Sequence, residues 1–320
     1  MKLKDFLVNL GIALGGLLAL VLVLEIVFRL PLVQQKTGGN WPKLKTWMDD
    51  VWYNERNSLG FRDREHSFDK PEDTYRILIL GDSIAYGQMV EFKDIFPVRL
   101  EEKLNETGGQ AVEVINMSLM GWNTVEQLQV LTVYGLRFQP DLVVIGFYLN
   151  DPQVKHNSQG KEVADAERQL LPFFGIDQWL NGRYYFYSFV HFRYNRFLEK
   201  IGHKDDYKTW QKSLYDKNQR GWKDFVFALD QIKRLSGQNQ AKLLFVSLNV
   251  EPGWEKETTQ VLNLVTDINL PVLDMRPFFQ DYDFSDLVVS PSDWHPNAQA
   301  HQIYTQVLGD YIVDKILNIH

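Results

Sequence analysis

The chain has 320 residues, 45% of them hydrophobic and 23% charged, with a formal net charge of −7 and no cysteine. This is ordinary globular composition on a length that can bury a large core, which argues against disorder and suits one α/β domain with an insertion as well as two domains. Acidic residues are mixed along the chain without a basic stripe, which argues against a nucleic-acid partner, and the lack of cysteine removes disulfides, thiol catalysis and cysteine-ligated metals.

The first element is apolar. Between Phe6 and Leu24 there is no charge and only Asn9 is strongly polar, close to the roughly 20 apolar residues that cross a bilayer. A soluble core helix is rarely apolar on every face. No small-residue cleavage pattern follows; Glu25, Phe28 and Arg29 do. Residues 1–30 therefore read as an uncleaved transmembrane signal anchor that meets the membrane through residues 6–28, with a cleaved signal peptide as the alternative. Lys2 and Lys4 precede the segment and Arg29, Lys36, Lys43 and Lys45 follow it, so charge does not orient it. A short head with a long folded tail leaves the tail outside, in the periplasm or at the cell surface.

Residues 31–74 are polar and aromatic-rich without a sustained period, and read as a stalk followed by a segment laid against the domain over 75–320. Apolar, β-branched runs then recur at Ile77–Leu80, Val112–Ile115, Leu142–Phe147, Leu243–Leu248 and Val272–Leu273, as in strands covered on both faces. Helical spacing separates them: Phe96, Leu100 and Leu104; Thr124 and Gln127 at capping-box spacing ahead of Leu128, Leu131 and Val133; Phe225, Leu229 and Ile232; Val261, Leu262 and Val265; Ile303, Val307 and Ile312. The alternation predicts a doubly wound, mostly parallel sheet with its site beyond the carboxyl ends of the strands. From about 152 to 221 no strand pattern is visible, and Gly182 to Phe197 is dense in aromatics. That stretch is a helical insertion packing its rings onto the sheet domain, or a lid or stacking surface for sugars or acyl chains.

The turn after the first strand reads Gly-Asp-Ser, and Ser83 has three candidate roles. A phosphate loop fails on residues, because no Lys follows Gly87 and Gly-x-Gly-x-x-Gly is absent. Ser83 as a helix cap and Ser83 as a nucleophile remain. A nucleophile needs a base and donors for the oxyanion. Of the seven histidines, His66, His156, His191 and His203 lie in polar or inserted segments where surface positions are expected, and His320 is terminal. His295 precedes the last amphipathic helix with Asp293 two residues before it, whereas His301, within that helix, is a packed or surface residue. Gly121 follows the second strand, where a bare backbone brings an N–H close to a ligand. Asn150 follows the third and offers an amide. Asp82 is expected to accept backbone N–H bonds, Asp151 to do the same near the site, and Asp274 and Asp286 to be solvated or turn residues. No metal or cofactor is expected, a site from Asp293, His295 and His301 being the weakest reading.

These four blocks resemble the SGNH/GDSL hydrolase family, named for a Ser, Gly, Asn and His that match Ser83, Gly121, Asn150 and His295. "NSLGFRD" (Asn57 to Asp63) is similar to membrane-anchored bacterial members. The resemblance implies a flavodoxin-like three-layer fold and hydrolysis or transfer of acyl esters. It makes Ser83 the nucleophile, His295 the base, and the N–H groups of Ser83 and Gly121 with the Asn150 side chain the oxyanion hole. Three positions depart from the pattern. Ile84 replaces Leu, Tyr148 stands where Gly is expected, and Ser292 takes the place of the family's Asp with Asp293 one later. In an extended loop residues two apart share a side, so Asp293 can reach His295; the alternative is a Ser–His dyad oriented by Ser292 or a backbone carbonyl. The leading expectation is an anchored esterase acting on acyl esters, acetyl included, of an extracytoplasmic glycan or lipid. An O-acetyltransferase on an envelope or exopolysaccharide glycan and a non-catalytic glycan-binding envelope module are the alternatives.

Overall fold

The computed structural model describes residues 3–30, 33, 55–154, 174–181, 183–202, 207–290 and 293–317. Of the expected stalk and domain-packing segment over 31–74, residues 31, 32 and 34–54 lie outside the described residues, as do His156, His203, Ser292, His320 and much of the insertion. In chain order the principal elements are α1 Leu3–Phe28, β1 Thr74–Gly81, α2 Phe96–Glu106, β2 Ala111–Ser118, α3 Thr124–Val133 and β3 Leu142–Phe147. There follow α4 Phe174–Asn181, α5 Tyr185–Lys200, α6 Tyr207–Ser213, α7 Arg220–Gln238, β4 Lys242–Ser247, α8 Glu255–Asp267, β5 Val272–Asp274, β6 Val288–Ser290, β7 Asp293–Pro296 and α9 Ala298–Ile312. They fall into two units, residues 1–52 with 161–206 and residues 53–160 with 207–320.

The larger unit is a five-stranded parallel sheet in the order β2-β1-β3-β4-β5. Successive residues of β1 face opposite sides, as the pleat requires. Leu78 and Leu80 join a core with Phe225, Leu229, Ile232, Val261 and Val265, while Ile77 and Ile79 join another with Phe96, Leu100, Tyr304 and Leu308. The result is three layers, the expected flavodoxin-like α/β fold. Because β1 is flanked by β2 and β3, the chain winds both ways from it, and the loops leaving these three strands meet at the topological switch point.

Several local expectations are corrected. The capping box of α3 is formed by Asn123 and Glu126 rather than Thr124 and Gln127: Asn123 accepts from the Glu126 N–H at 3.1 Å and Glu126 accepts from the Asn123 N–H at 3.2 Å. Thr124 and Gln127 share a spacing for another reason, since both side chains donate to Asp151. The buried face of α9 is Ala300, Tyr304, Leu308 and Ile312, with Ile303 and Val307 only partly covered. His66 and His191 are not surface side chains; each is enclosed beside a carboxylate, Asp63 at 3.1 Å and Asp177 at 3.2 Å. Asp274 is the expected turn residue, accepting the Arg276 N–H at 3.1 Å and also pairing with the Arg276 side chain at 2.7 Å.

The smaller unit holds α1, α4 and α5. The insertion is helical among the described residues. Rings of Phe186 and Phe189 in α5 lie 5.5 and 4.7 Å from the Phe28 ring of α1. Val8–Phe28, 21 residues with a mean hydropathy of 2.6, is long and apolar enough to cross a membrane, a test that a signal sequence also passes.

Candidate active site

The site begins where β1 runs out. Asp82 caps the single helical turn Ser83–Tyr86 by accepting the Ile84 N–H at 2.9 Å, and Gly87 closes that turn in the left-handed region at φ 74°. Only glycine adopts this conformation freely, and a Cβ there would fall 2.1 Å from the Ile95 side chain. The turn is held from behind by Arg62, whose guanidinium donates to the carbonyls of Gly87 at 2.6 Å and Val90 at 2.8 Å and pairs with Glu55 at 2.7 Å. Asp63 accepts the Asn116 N–H of β2 at 2.8 Å, and the Asn116 amide donates to the Ala85 carbonyl at 3.2 Å. The Asn57–Asp63 stretch is thus the cradle of the Ser83 turn. Sequence reading noticed the stretch without giving it this task, because the contacts are to residues more than 20 positions away.

His295 and Asp293 sit on β7, which pairs antiparallel with β6. Extended backbone puts both side chains on one side. Asp293 Oδ1 lies 2.6 Å from His295 Nδ1 and also accepts the His295 backbone N–H at 3.2 Å. A carboxylate only accepts, so the ring proton is on Nδ1 and Nε2 presents its lone pair. Ser83 Oγ lies 3.0 Å from that Nε2. Burial pushes the Asp293 carboxyl up, but the hydrogen bond and charge of His295 outweigh it, and the group sits below its ordinary value. These two side chains are 23% and 27% exposed, so the pair opens to solvent while Ser83 lies beneath it.

Gly121 and Asn150 leave β2 and β3. Gly121 is left-handed at φ 75°, and among the described residues its N–H has no acceptor, nor does that of Ser83. The Asn150 amide donates to the Trp122 carbonyl at 3.2 Å, and, against the push of burial, its side chain lowers the pKa of the neighbouring Asp82 carboxyl. Asn150 therefore sits between the Ser83 turn and the Gly121 loop. Below it, Asp151 accepts from the Thr124 hydroxyl at 2.7 Å, the Gln127 amide at 2.8 Å and the Tyr148 N–H at 2.8 Å. Tyr148, at the position where the resemblance leads one to expect Gly, thus has its backbone fixed by Asp151. Burial pushes Asp151 up to about 8, with the charge of Asp82 adding to it. Burial likewise pushes Asp82 up to about 6, against the pull of the Ile84 N–H and His295. His301 lies apart from the site, fully buried, with Nδ1 accepting the Phe96 N–H at 3.0 Å. Among the described residues no three His, Cys, Asp or Glu gather as metal ligands.

Beyond β4 and β5 a cavity of about 390 Å³ is lined by Asn249, Glu251, Glu255, Arg276, Tyr282 and Phe284, among others. Phe284 meets the Trp294 ring edge-on at 6.0 Å, and Trp294, next to His295, is 49% exposed.

A sequence profile of the GDSL-like Lipase/Acylhydrolase family matches residues 79–303, well over half of the chain. The chain belongs to that family. It is an enzyme of the GDSL esterase type, and the motif at Gly81–Ser83 is the family's own. No curated protein sequence matches this GDSL esterase. Among solved structures it is similar to a two-domain esterase active on acetylated mannans, at 14% identity and a TM-score of 0.47, covering 77% of this chain and half (50%) of that one. The psychrotrophic esterase EstA from Pseudoalteromonas aligns at 17% identity and a TM-score of 0.44 over 77% of this chain and 100% of its own. Axe2, an acetylxylan esterase from Geobacillus stearothermophilus, aligns at 10% identity and a TM-score of 0.47 over 74% and 94%. The family assignment rests on the profile match.

Proposed function

We propose that this GDSL esterase is anchored in a membrane by α1 and removes acyl groups, acetyl in particular, from an extracytoplasmic glycan. The observation that carries the reading is the relay from Asp293 through His295 to the Ser83 hydroxyl. Ser83 Oγ attacks the ester carbonyl and gives its proton to His295 Nε2, while Asp293 holds the ring and stabilises the imidazolium. The oxyanion is received by the N–H groups of Ser83 and Gly121 and by the Asn150 amide. The leaving alcohol takes the proton from Nε2, an acyl-enzyme remains on Ser83, and a water deprotonated by His295 releases the acid.

Glycan is favoured over lipid by the cavity beside Trp294. Carboxylates and an arginine suit hydroxyl groups, and the exposed faces of Trp294 and Tyr282 suit sugar rings. Anchoring is supported by the length of the apolar stretch Val8–Phe28, about 31 Å at 1.5 Å per residue against a hydrocarbon core of about 30 Å. The test is a panel of acetylated oligosaccharides and fatty esters of increasing chain length, run on wild type and Ser83→Ala with product analysis. Released acetate from the sugars, lost in the mutant, supports the reading. Preference for long acyl chains, or transfer of acetyl to an added glycan acceptor in place of release, overturns it.

A further inference from the structure

Where the apolar span ends, the chain has built a second structure onto it. Glu25, in the last turns of α1, accepts the backbone N–H groups of Tyr185 at 3.1 Å and Phe186 at 2.9 Å. These are the first two residues of α5, whose opening N–H groups have no partner within the helix. Arg29 pairs with Glu25 at 2.8 Å and lies 5.1 Å over the Tyr185 ring. Phe28 packs on Phe186 and Phe189. The preceding helix α4 is fastened to α5 in turn, since Asp177 accepts the Tyr187 hydroxyl at 2.5 Å and pairs with His191 at 3.2 Å. The start of α5 is thereby fixed at the residue where the apolar stretch stops.

The segment leading into that point is apolar, aromatic and uncovered. Ile176, Trp179 and Tyr184 are 52%, 49% and 38% exposed. Trp179 and Tyr184 touch at 5.7 Å, and the Arg183 guanidinium lies 5.0 Å over the Trp179 ring. Tryptophan and tyrosine favour the boundary between hydrocarbon and headgroup, and arginine reaches from it to lipid phosphate. We propose that Ile176, Trp179, Arg183 and Tyr184 form an interfacial platform that seats in the outer headgroup layer of the same bilayer that α1 spans. The occupant is lipid because the platform is continuous with the end of the span, held there by Glu25. The platform rests on the anchoring reading above. It sets α5 at a constant depth, so that the insertion leaves the membrane from a braced base.

The absence of cysteine makes the test clean. Full-length chain is reconstituted in phosphatidylcholine–phosphatidylglycerol vesicles with one environment-sensitive fluorophore on Leu18→Cys, Trp179→Cys or Tyr184→Cys. The Leu18 label, on the exposed face of α1, reports the anchor alone. The platform predicts blue-shifted emission at 179 and 184, lost to a lipid carrying a shallow nitroxide and resistant to aqueous iodide. Iodide quenching at 179 and 184 with a dry Leu18 label overturns the platform and leaves the anchor. Labels at 179 and 184 shielded from both quenchers mark a protein contact and overturn it too. A Leu18 label quenched by iodide removes the anchor and the platform together.

Discussion

His295 and His301 stand on consecutive elements, β7 and α9, and differ in what faces Nδ1. At His295 it is the Asp293 carboxylate, an acceptor, in a setting still open to solvent. At His301 it is the Phe96 backbone N–H, a donor, in a fully buried setting with no partner for Nε2 among the described residues. The first ring therefore turns a lone pair toward Ser83, and the second is held neutral. Burial pushes His301 down to about 3, with the positive charge of Arg62 and Arg99 adding to it. What His301 does instead is structural: it caps the first turn of α2, whose N-cap Ile95 has no side chain able to do so. Two histidines close in sequence are sorted by the partner of one nitrogen.

The largest effect that could break this contrast is on turnover. Ser83→Ala and His295→Ala should each lower kcat by about 10⁴- to 10⁶-fold, and the double mutant should be no worse than either, because the groups act as one unit. His301→Asn, which keeps an acceptor for the Phe96 N–H, should stay within several-fold of wild type. Comparable losses at 295 and 301, measured on the same acetyl ester, would erase the distinction. The next effect tests the orienting partner. Asp293→Asn puts a donor against Nδ1 and favours the wrong tautomer, so kcat should fall by up to ~10⁴-fold with KM little changed. An unchanged kcat would leave a Ser–His dyad.

Much of this was legible in the sequence. Strands buried on both faces announce themselves as short β-branched runs, so β1 to β5 could be read directly, and Gly81–Ser83 and Asn150 follow from where those runs end. Asp293 could be named because extended chain has a period of two. What could not be read depends on distant partners. Thr124 and Gln127 have the spacing of a cap, yet they serve Asp151, which lies on another loop. His191 looks like a surface residue until Asp177 of the preceding helix is brought beside it. His301 carries no local sign that Phe96 needs its nitrogen. The role of Asn57–Asp63 was hidden because its contacts close loops of more than 20 residues.

Stability against pH sharpens the same contrast. His301 has a folded value of about 3 against 6.5 unperturbed, so between these values the unfolded chain holds the extra proton. Its contribution is whole above 6.5 and is lost as pH falls through that window. Asp82 and Asp151 have the opposite sign. Raised to about 6 and about 8, they contribute below the ordinary carboxylate range and lose that contribution as pH rises through their folded values. Summed, the three groups raise stability up to the ordinary carboxylate value and lower it above, so calorimetric Tm should peak at about pH 4 and decline on both sides. In His301→Asn the acid-side slope should flatten and the decline from about pH 4 up to 6.5 should steepen, while the decline above 6.5 is unchanged; an unaltered acid slope would mean that His301 is not the group refusing the proton.

The smallest effect is at the residue between the two histidines. Asn297 Oδ1 accepts the N–H groups of Gln299 at 3.0 Å and Ala300 at 3.2 Å, capping the helix that carries His301. Its amide donates to the carbonyls of Asp286 at 2.8 Å and Val288 at 3.2 Å, bracing the β6–β7 hairpin that carries His295. Asn297→Ala loses both and should cost about 1 kcal/mol, a Tm drop of about 2–4 °C for a unit of this size, with a modest fall in kcat. Asn297→Asp separates the two functions, since it still accepts at the cap but cannot donate to the hairpin. Tm should then recover while kcat stays low, because the helix is capped and the His295 strand is not braced. If Asn297→Asp restores kcat as well, the pairing of β6 with β7 is enough to hold His295, and the two histidine settings are independent despite sharing this residue.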